Sequence, residues 1–437
     1  MNRREFLATS AVTSVVSQSA RPSNRLSEIR SEPLKASYWG PEYYGEEEQQ
    51  QVNEVLTSRS PFRWYGPNGR VPMKVLTFEK EFAQRMQTRY ALAVTSGTAA
   101  LQCAVNALEI GPGDEVILPA WTWHSCFSAI VLAGALPVFA EVDTSFNIDP
   151  SDIEQRITPR TKAVMAVHLQ GNPCDMDQIL AIARKHQIRV IEDCAQSVGA
   201  SYKGRPVGSM GAIGIYSLQL NKTITAGEGG AVVTNDPTLF ERATRFHDVG
   251  ALRAGHEKIL GSGSLEEFTG CNFRMNEFSG GVLLAQLRKL DRIVADVRKN
   301  AQRVYEGVRA LPGVECRQLP DPSGELGTGV YIGFRDKEQR DRFMAAMTAE
   351  NVPASPPSGS VILPIQKYVE NKVTVHPAWP SFTSEHGRQI QYGAAACPRT
   401  IDIVNRFAGV LMDPKFSRRD TDDIVIAIRK AYRRVGV

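Results

Sequence analysis

Lys222 is the residue in this chain whose setting most invites covalent chemistry. It follows a short apolar run, Gly214–Tyr216, that reads as a strand and ends at Ser217. Other reactive groups fall in equivalent places. Thr95-Ser96-Gly97-Thr98 follows the strand-like Tyr90–Val94 and opens a helix, and Pro119-Ala120-Trp121-Thr122-Trp123 follows Glu115–Leu118. His168 closes another apolar run, Asp193 closes Arg189–Glu192 with Gln196 three residues on, and Gly227-Glu228-Gly229-Gly230 turns the chain into a further strand. Each feature has a bland reading. Ser-Gly-Thr at a helix start is commonly an ordinary N-cap, paired tryptophans usually pack a core, and a lone lysine is usually a solvated charge. An acid closing an apolar strand is more informative, because a carboxylate is costly to bury without a partner. Together they form a specific set: backbone N–H groups at a helix start for a phosphate, an aromatic plate, a buried anion for a ring nitrogen, and an amine for a Schiff base. That is the set a pyridoxal-phosphate (PLP) site requires.

Side chains of this kind must be held by rigid elements. From about residue 78 the sequence alternates strand-like and helix-like runs: helices at 78–86, 99–108, 126–133, 152–157, 177–186 and 237–246, and strands at 90–94, 115–118, 136–141, 162–168, 189–192, 214–217 and 228–234. This alternation predicts an α/β unit with a mostly parallel sheet, in which ligands sit beyond the carboxyl ends of the strands. Residues 278–308 read as one or two long helices leading to a second, smaller α+β unit that ends in an amphipathic helix at 420–434. Between them lies a Pro-, Ser- and aromatic-rich stretch at 352–392, and a short helix is expected at 46–57. The expected organisation is a leader at 1–20, an N-terminal segment at 21–75, a large cofactor-binding domain at 76–290 and a small C-terminal domain at 291–437.

Bulk properties exclude several classes. A formal charge of +4 on 437 residues argues against a nucleic-acid surface. No stretch is apolar for long enough to span a membrane. Seven scattered cysteines without a Cys-x-x-Cys pair argue against a disulfide framework or a zinc site, so buried free thiols and no metal are expected. The start Asn2-Arg3-Arg4-Glu5-Phe6-Leu7, followed by Ala/Thr/Ser/Val residues to Ala20, resembles a twin-arginine export signal. Export to the periplasm is one reading; a basic N-terminus on a cytoplasmic protein is the other. A route that carries folded proteins would suit a chain loaded with cofactor before export.

Five segments carry a family resemblance in their joint order: Ser96-Gly97-Thr98-Ala99-Ala100-Leu101, Gly113-Asp114-Glu115-Val116-Ile117, Ile191-Glu192-Asp193-Cys194-Ala195-Gln196, Ser217 to Lys222 with Gly227-Glu228-Gly229-Gly230, and Asn272-Phe273-Arg274-Met275-Asn276-Glu277. On these the chain resembles the DegT/DnrJ/EryC1/StrS family of sugar aminotransferases, which implies a type I PLP-dependent transferase (aspartate aminotransferase-like) fold. The resemblance implies that Lys222 forms the Schiff base and that Asp193 pairs with the pyridine nitrogen. Gln196 would contact the ring hydroxyl and Trp123 would stack on the ring. Gly97, Thr98 and Ser217 would hold the phosphate. Asn272 would reach the phosphate of a neighbouring subunit's cofactor, which implies a homodimer with shared sites.

Many relatives carry His-Pro-Thr-Lys at the catalytic lysine, whereas this chain has Gln219-Leu220-Asn221-Lys222. That glutamine, with Gly280-Gly281-Val282-Leu283-Leu284-Ala285-Gln286-Leu287, resembles the branch holding glutamine:scyllo-inosose aminotransferases and aminohydroxybenzoate synthases. The implied reaction is ping-pong transfer of an amino group from glutamine or glutamate to a keto-sugar or keto-cyclitol. Two alternatives stay open: a PLP-dependent dehydratase or aromatising synthase acting on a cyclic substrate, and a non-catalytic relative acting as a binding protein. The retained Lys222 argues against the dehydratase variant, whose relatives carry histidine there. A nicotinamide oxidoreductase is disfavoured because the glycine fingerprint is missing.

Overall fold

The computed structural model describes residues 28–67, 69 and 71–436; the twin-arginine stretch lies outside the described residues. Seven strands form the central sheet: β1 (Tyr90–Val94), β2 (Glu115–Pro119), β3 (Leu136–Ala140), β4 (Thr161–Val167), β5 (Arg189–Asp193), β6 (Ile213–Ser217) and β7 (Gly230–Thr234). Their order is β1-β7-β6-β5-β4-β2-β3. β7 runs antiparallel to both β1 and β6, and all the other pairings are parallel. The strands are buried almost throughout, as expected for a sheet covered on both faces, and this is why they read as continuous apolar runs.

The principal helices are α1 (Glu46–Ser58), α2 (Lys74–Arg85), α3 (Gly97–Ala107), α4 (His124–Leu132), α5 (Met176–His186), α6 (Pro237–His247), α7 (Glu277–Arg309), α8 (Lys337–Thr348), α9 (Pro398–Arg406) and α10 (Arg418–Arg434). The expected elements are present with shifted ends. α3 begins two residues before its first apolar residue because Ser96 caps it, its Oγ accepting from the Ala99 N–H at 3.1 Å. α2 begins at Lys74 rather than 78, since Lys74 is itself buried against Gln51 and Glu54 of α1. β7 begins at Gly230, after Gly227 turns the chain with φ +84°.

The long segment at 278–308 is one helix, α7, of 33 residues, about 50 Å at the usual rise. Its first half packs Leu283, Leu287, Leu290 and Val294 into a core with Phe78, Phe82 and Tyr216. Its second half packs Val297, Ala301, Val304 and Val308 against β8 (Gly329–Gly333), β9 (Phe407–Leu411), α8 and α10. β8 and β9 are antiparallel neighbours in a three-stranded sheet with the two-residue strand Glu315–Cys316. Two cores therefore share one rigid rod.

The aromatic-rich stretch covers the large sheet's helical layer. Val361–Ile362 pairs antiparallel with Trp121–Thr122, Tyr392 Oη donates to the Pro137 carbonyl at 2.8 Å, and Ser381 Oγ donates to the Val131 carbonyl at 3.2 Å. Leu363, Val369 and Phe382 join the buried cluster of α3 and α4. The segment before α1 is a strap over the smaller sheet. Arg30 pairs with Asp420 and Asp423, each at 2.7 Å, Ser37 Oγ donates to Asp413 Oδ2 at 2.6 Å, and Trp39 Nε1 donates to the Met412 carbonyl at 3.2 Å. No helix among the described residues is long and apolar enough to cross a membrane. Five of the seven cysteines are buried and all are free thiols.

Candidate active site

A cavity of about 720 Å³ opens at the carboxyl ends of β1, β5 and β6. It is lined by Gly97, Thr98, Trp123, Asp193, Gln196, Ser217 and Lys222, seven of the eight residues expected from sequence. Asn272 does not line it. Asn272 lies exposed beside Asp248, to which it is bridged, and its Oδ1 accepts from the Arg274 N–H at 3.4 Å.

The phosphate end is built by close approach. β6 and β7 pair so that Ser217 faces Gly230, and Ser217 lies against the first turn of α3. A Cβ on Gly97 would stand 2.6 Å from Ser217 Cβ, and one on Gly230 would stand 2.3 Å from the Ser96 carbonyl oxygen. Both positions therefore need glycine for space. The first N–H groups of α3 have no partners within the helix and sit at its positive dipole end. Thr98 Oγ1 shares a 2.7 Å hydrogen bond with Ser125 Oγ, so two hydroxyls flank the turn. This neutral, donor-rich cradle fits a phosphate.

Asp193 ends β5, buried. Its Oδ1 accepts from the Ala195 N–H at 2.9 Å, and its Oδ2 accepts from the Cys126 thiol at 3.1 Å. Burial pushes its carboxyl above the ordinary aspartate range, against the pull of the Ala195 N–H, the Cys126 thiol and the Lys222 charge. Such a group gains most from a cationic partner, which a protonated pyridine nitrogen would be. Lys222 is held by a tight turn, its N–H donating to the Gln219 carbonyl at 2.9 Å. Burial lowers its ammonium pKa, with Asp193 opposing. A lysine that sheds its proton more easily is suited to Schiff-base and base chemistry. Trp123 is 51 % exposed, unusual for so large an apolar surface, and presents its indole at the cavity. The residues present thus fit PLP at each of its four recognition points.

Behind Asp193 lies a second buried group, His168, Glu192 and Cys194. The Cys174 N–H donates to His168 Nδ1 at 2.9 Å, so Nε2 carries the proton and donates to Glu192 Oε2 at 3.1 Å. Glu192 also accepts from the N–H groups of Gly208 at 2.7 Å and Met210 at 2.6 Å. Burial pushes Glu192 up, but His168 and the N–H groups of Gly208 and Gly211 bring it below the usual glutamate range. The ligand atoms of His168 and Glu192 are committed to one another and to backbone, and the group serves to brace the end of β5.

The cavity also contains residues that no sequence pattern singled out. Ala36–Trp39 of the strap, Gln170, Thr328, Ser358–Gly359 and Leu411–Met412 line its outer part. Gln170 has left-handed backbone (φ +54°), rare for a non-glycine residue and often tied to function. Its Oε1 accepts from Tyr331 Oη at 2.9 Å, and its N–H donates to Gln196 Oε1 at 3.0 Å. Gln196 Nε2 in turn donates to the Gly359 carbonyl at 3.0 Å and to Ser360 Oγ at 3.1 Å. Position just beyond the end of β4 was the one available signal for Gln170.

The sheet order, its single reversed strand and the lysine beyond β6 define a type I PLP-dependent transferase. The chain belongs to the DegT/DnrJ/EryC1/StrS aminotransferase family, whose profile matches residues 42–429. Members of that family are PLP-dependent aminotransferases. The chain is 36 % identical over 354 residues to GDP-perosamine synthase of Escherichia coli O157:H7, covering 79 % of this chain and 93 % of that protein. It is 40 % identical over 266 residues to L-glutamine:2-deoxy-scyllo-inosose aminotransferase of Micromonospora echinospora, covering 60 % of this chain and 63 % of that one. Among solved structures, 3-amino-5-hydroxybenzoic acid synthase superposes with a TM-score of 0.73 at 27 % identity, over 92 % of this chain and all of that chain.

Proposed function

We propose that this enzyme moves an amino group from glutamine or glutamate to a keto-sugar or keto-cyclitol, in two half-reactions, with the donor leaving as a 2-oxo acid before the ketone enters. The observation that carries the reading is the facing of Lys222 and Asp193 in one cavity whose outer wall is rich in amides and hydroxyls. When bound, PLP supplies an aldehyde carbon for amine exchange and an electron-withdrawing ring.

The protein's own groups do the rest. Lys222 would hold the cofactor at rest. Once displaced by the donor amine, its Nζ takes the donor Cα proton and returns it, a role its burial-lowered pKa favours. Asp193 would keep the ring nitrogen protonated through an ion pair made in a dry site, where such a pair is strong. Trp123 would lie against one ring face, and Gly97, Thr98 and Ser217 would anchor the phosphate. Gln196, Gln170 and Ser358 offer acceptors and donors suited to ring hydroxyls.

We further propose that the enzyme works as a homodimer in which Asn272, exposed and outside its own chain's cavity, reaches the partner's cofactor phosphate. Export through the leader at 1–20 completes the reading; detection of the shortened chain in the periplasmic fraction, and its loss in Arg3→Lys/Arg4→Lys, checks it.

The central test is half-reaction spectroscopy on the cofactor-loaded enzyme. L-glutamine or L-glutamate should shift the cofactor spectrum to that of the amine form, and a keto-cyclitol or keto-sugar should restore it, with the amine product seen by mass spectrometry. Absence of any donor-driven shift would refute the transaminase reading. A product that loses water without gaining an amine would favour the aromatising alternative.

A further inference from the structure

We infer that Cys126, backed by Thr122, is a positioning residue for Asp193: its thiol fixes one oxygen of the carboxylate that would pair with the cofactor's ring nitrogen. The inference rests on the proposed cofactor role of Asp193. Cys126 lies in the first turn of α4, buried, with Sγ 3.1 Å from Asp193 Oδ2 and 3.2 Å from Thr122 Oγ1.

The protons can be assigned. An ionised carboxylate only accepts, so the single Cys126 proton points to Oδ2. The Thr122 hydroxyl must then donate to Sγ. Thr122 is itself buried, and its backbone is held by pairing with Val361. The result is a two-step relay, Thr122 O–H to Cys126 S–H to Asp193. Burial holds the thiol far above its usual pKa, so it stays a donor across the working range. With Oδ1 engaged by the Ala195 N–H, both carboxylate oxygens have a fixed partner, and rotation of the group would break both bonds.

The same short stretch does two jobs. Trp123, between the relay residues, would place the plate against the ring, and the Cys126 N–H donates to the Trp123 carbonyl at 3.1 Å. Plate and thiol are therefore locked in one turn. A thiol is a weak donor, so it orients the carboxylate while leaving it free to accept a stronger bond from the ring N–H. The other charged or titratable groups acting on Asp193 are Lys222, His168 and the buried thiols of Cys174 and Cys194.

The test uses the cofactor-loaded protein and the pH midpoint of its visible absorption. Weakening the Asp193 grip lowers positive charge on the ring nitrogen, so the nearby imine nitrogen keeps its proton to higher pH. Cys126→Ala should raise the midpoint by roughly half a unit to one unit, as expected for losing one donor to a charged group. It should also slow the donor half-reaction by about tenfold. Thr122→Val should shift the midpoint the same way by less. Cys126→Ser, which restores a donor of similar size, should leave the midpoint at or below that of the unaltered protein. An unchanged midpoint in Cys126→Ala, or an upward shift in Cys126→Ser as large as in Cys126→Ala, overturns the inference. If Cys126→Ala does not fold, judged by circular dichroism, the Cys126→Ser and Thr122→Val midpoints decide it. If the unaltered protein itself shows no lysine-bound cofactor spectrum, it is the cofactor role of the site that fails.

Discussion

The floor of the cavity and its outer wall are built by different physics. The floor groups, Gly97, Asp193, Ser217 and Lys222, sit at or just past strand ends of one sheet. Their spacing follows from strand register: Asp193 pairs with Val167 and Ile215, and Ser217 with Gly230. The wall is assembled from Ala36–Trp39, Thr328, Ser358–Gly359 and Leu411–Met412, segments far apart in sequence. Scattered contacts hold them: Ser37 bonds Asp413, Trp39 Nε1 donates to the Met412 carbonyl, Gln196 Nε2 donates to the Gly359 carbonyl, and Leu411 ends β9. A floor change must disturb the central sheet, whereas a change in the strap or at Ser358–Gly359 disturbs local contacts. On the proposed function, the chemistry belongs to the floor and the choice of ketone to the wall.

Substitutions can break or sharpen this contrast. Lys222→Ala removes the proposed proton carrier, and turnover should fall at least about a thousandfold, with loss of the lysine-linked absorbance in a spectrum of the purified protein. Asp193→Asn keeps the shape but removes the charge, and both half-reactions should slow by about a hundredfold in stopped-flow traces. Gly97→Ala drives a methyl into Ser217, and overpacking of about 1–3 kcal/mol should weaken cofactor binding by about ten- to a hundredfold in equilibrium titration. Tyr38→Ala, on the wall, should raise the KM for the ketone by several-fold, corresponding to about 1 kcal/mol of lost contact, and leave the donor half-reaction rate unchanged. Equal loss in both half-reactions would erase the distinction between floor and wall.

The smallest effect lies under the wall. Glu325 precedes Thr328, is buried, and has an Oε1 without a hydrogen-bond partner. Burial raises its pKa to about 7, with Arg317 opposing. A carboxyl raised in the folded state favours folding below its unfolded pKa of about 4.5, and that contribution is lost as pH rises through about 7. Glu325→Gln removes the titration, so its melting temperature relative to the unaltered protein should be higher at pH 8 than at pH 5, by about one or two degrees. A difference independent of pH would show that Glu325 is not titrating in the folded state.

Most of the floor was legible before the structure. Buried parallel strands announce themselves as apolar runs, so the residues that end them can be picked out, as with Asp193 and Ser217. Element ends were less legible, because capping and turns override apolar periodicity: Ser96 starts α3 early and Gly227 starts β7 late. Asn272 could be named but not placed in its own chain's cavity. The aromatic stretch at 352–392 showed composition without period, because its elements, a two-residue strand and helices of three to five residues covering a helical layer, are too short to set one.

Sequence alone located most of the strand runs, Asp193 at a strand end and the glycine turn, because each depends on local periodicity or on a neighbour a few residues away, and the family resemblance singled out Lys222. Only the tertiary structure decided that Cys126 touches Asp193, that Gln170 is left-handed and bonded to Gln196, and that the strap at Ala36–Trp39 reaches the site. These depend on contacts between residues from 26 to several hundred positions apart. Such contacts follow from how helices and strands pack on one another, and packing leaves no repeating signature along the chain.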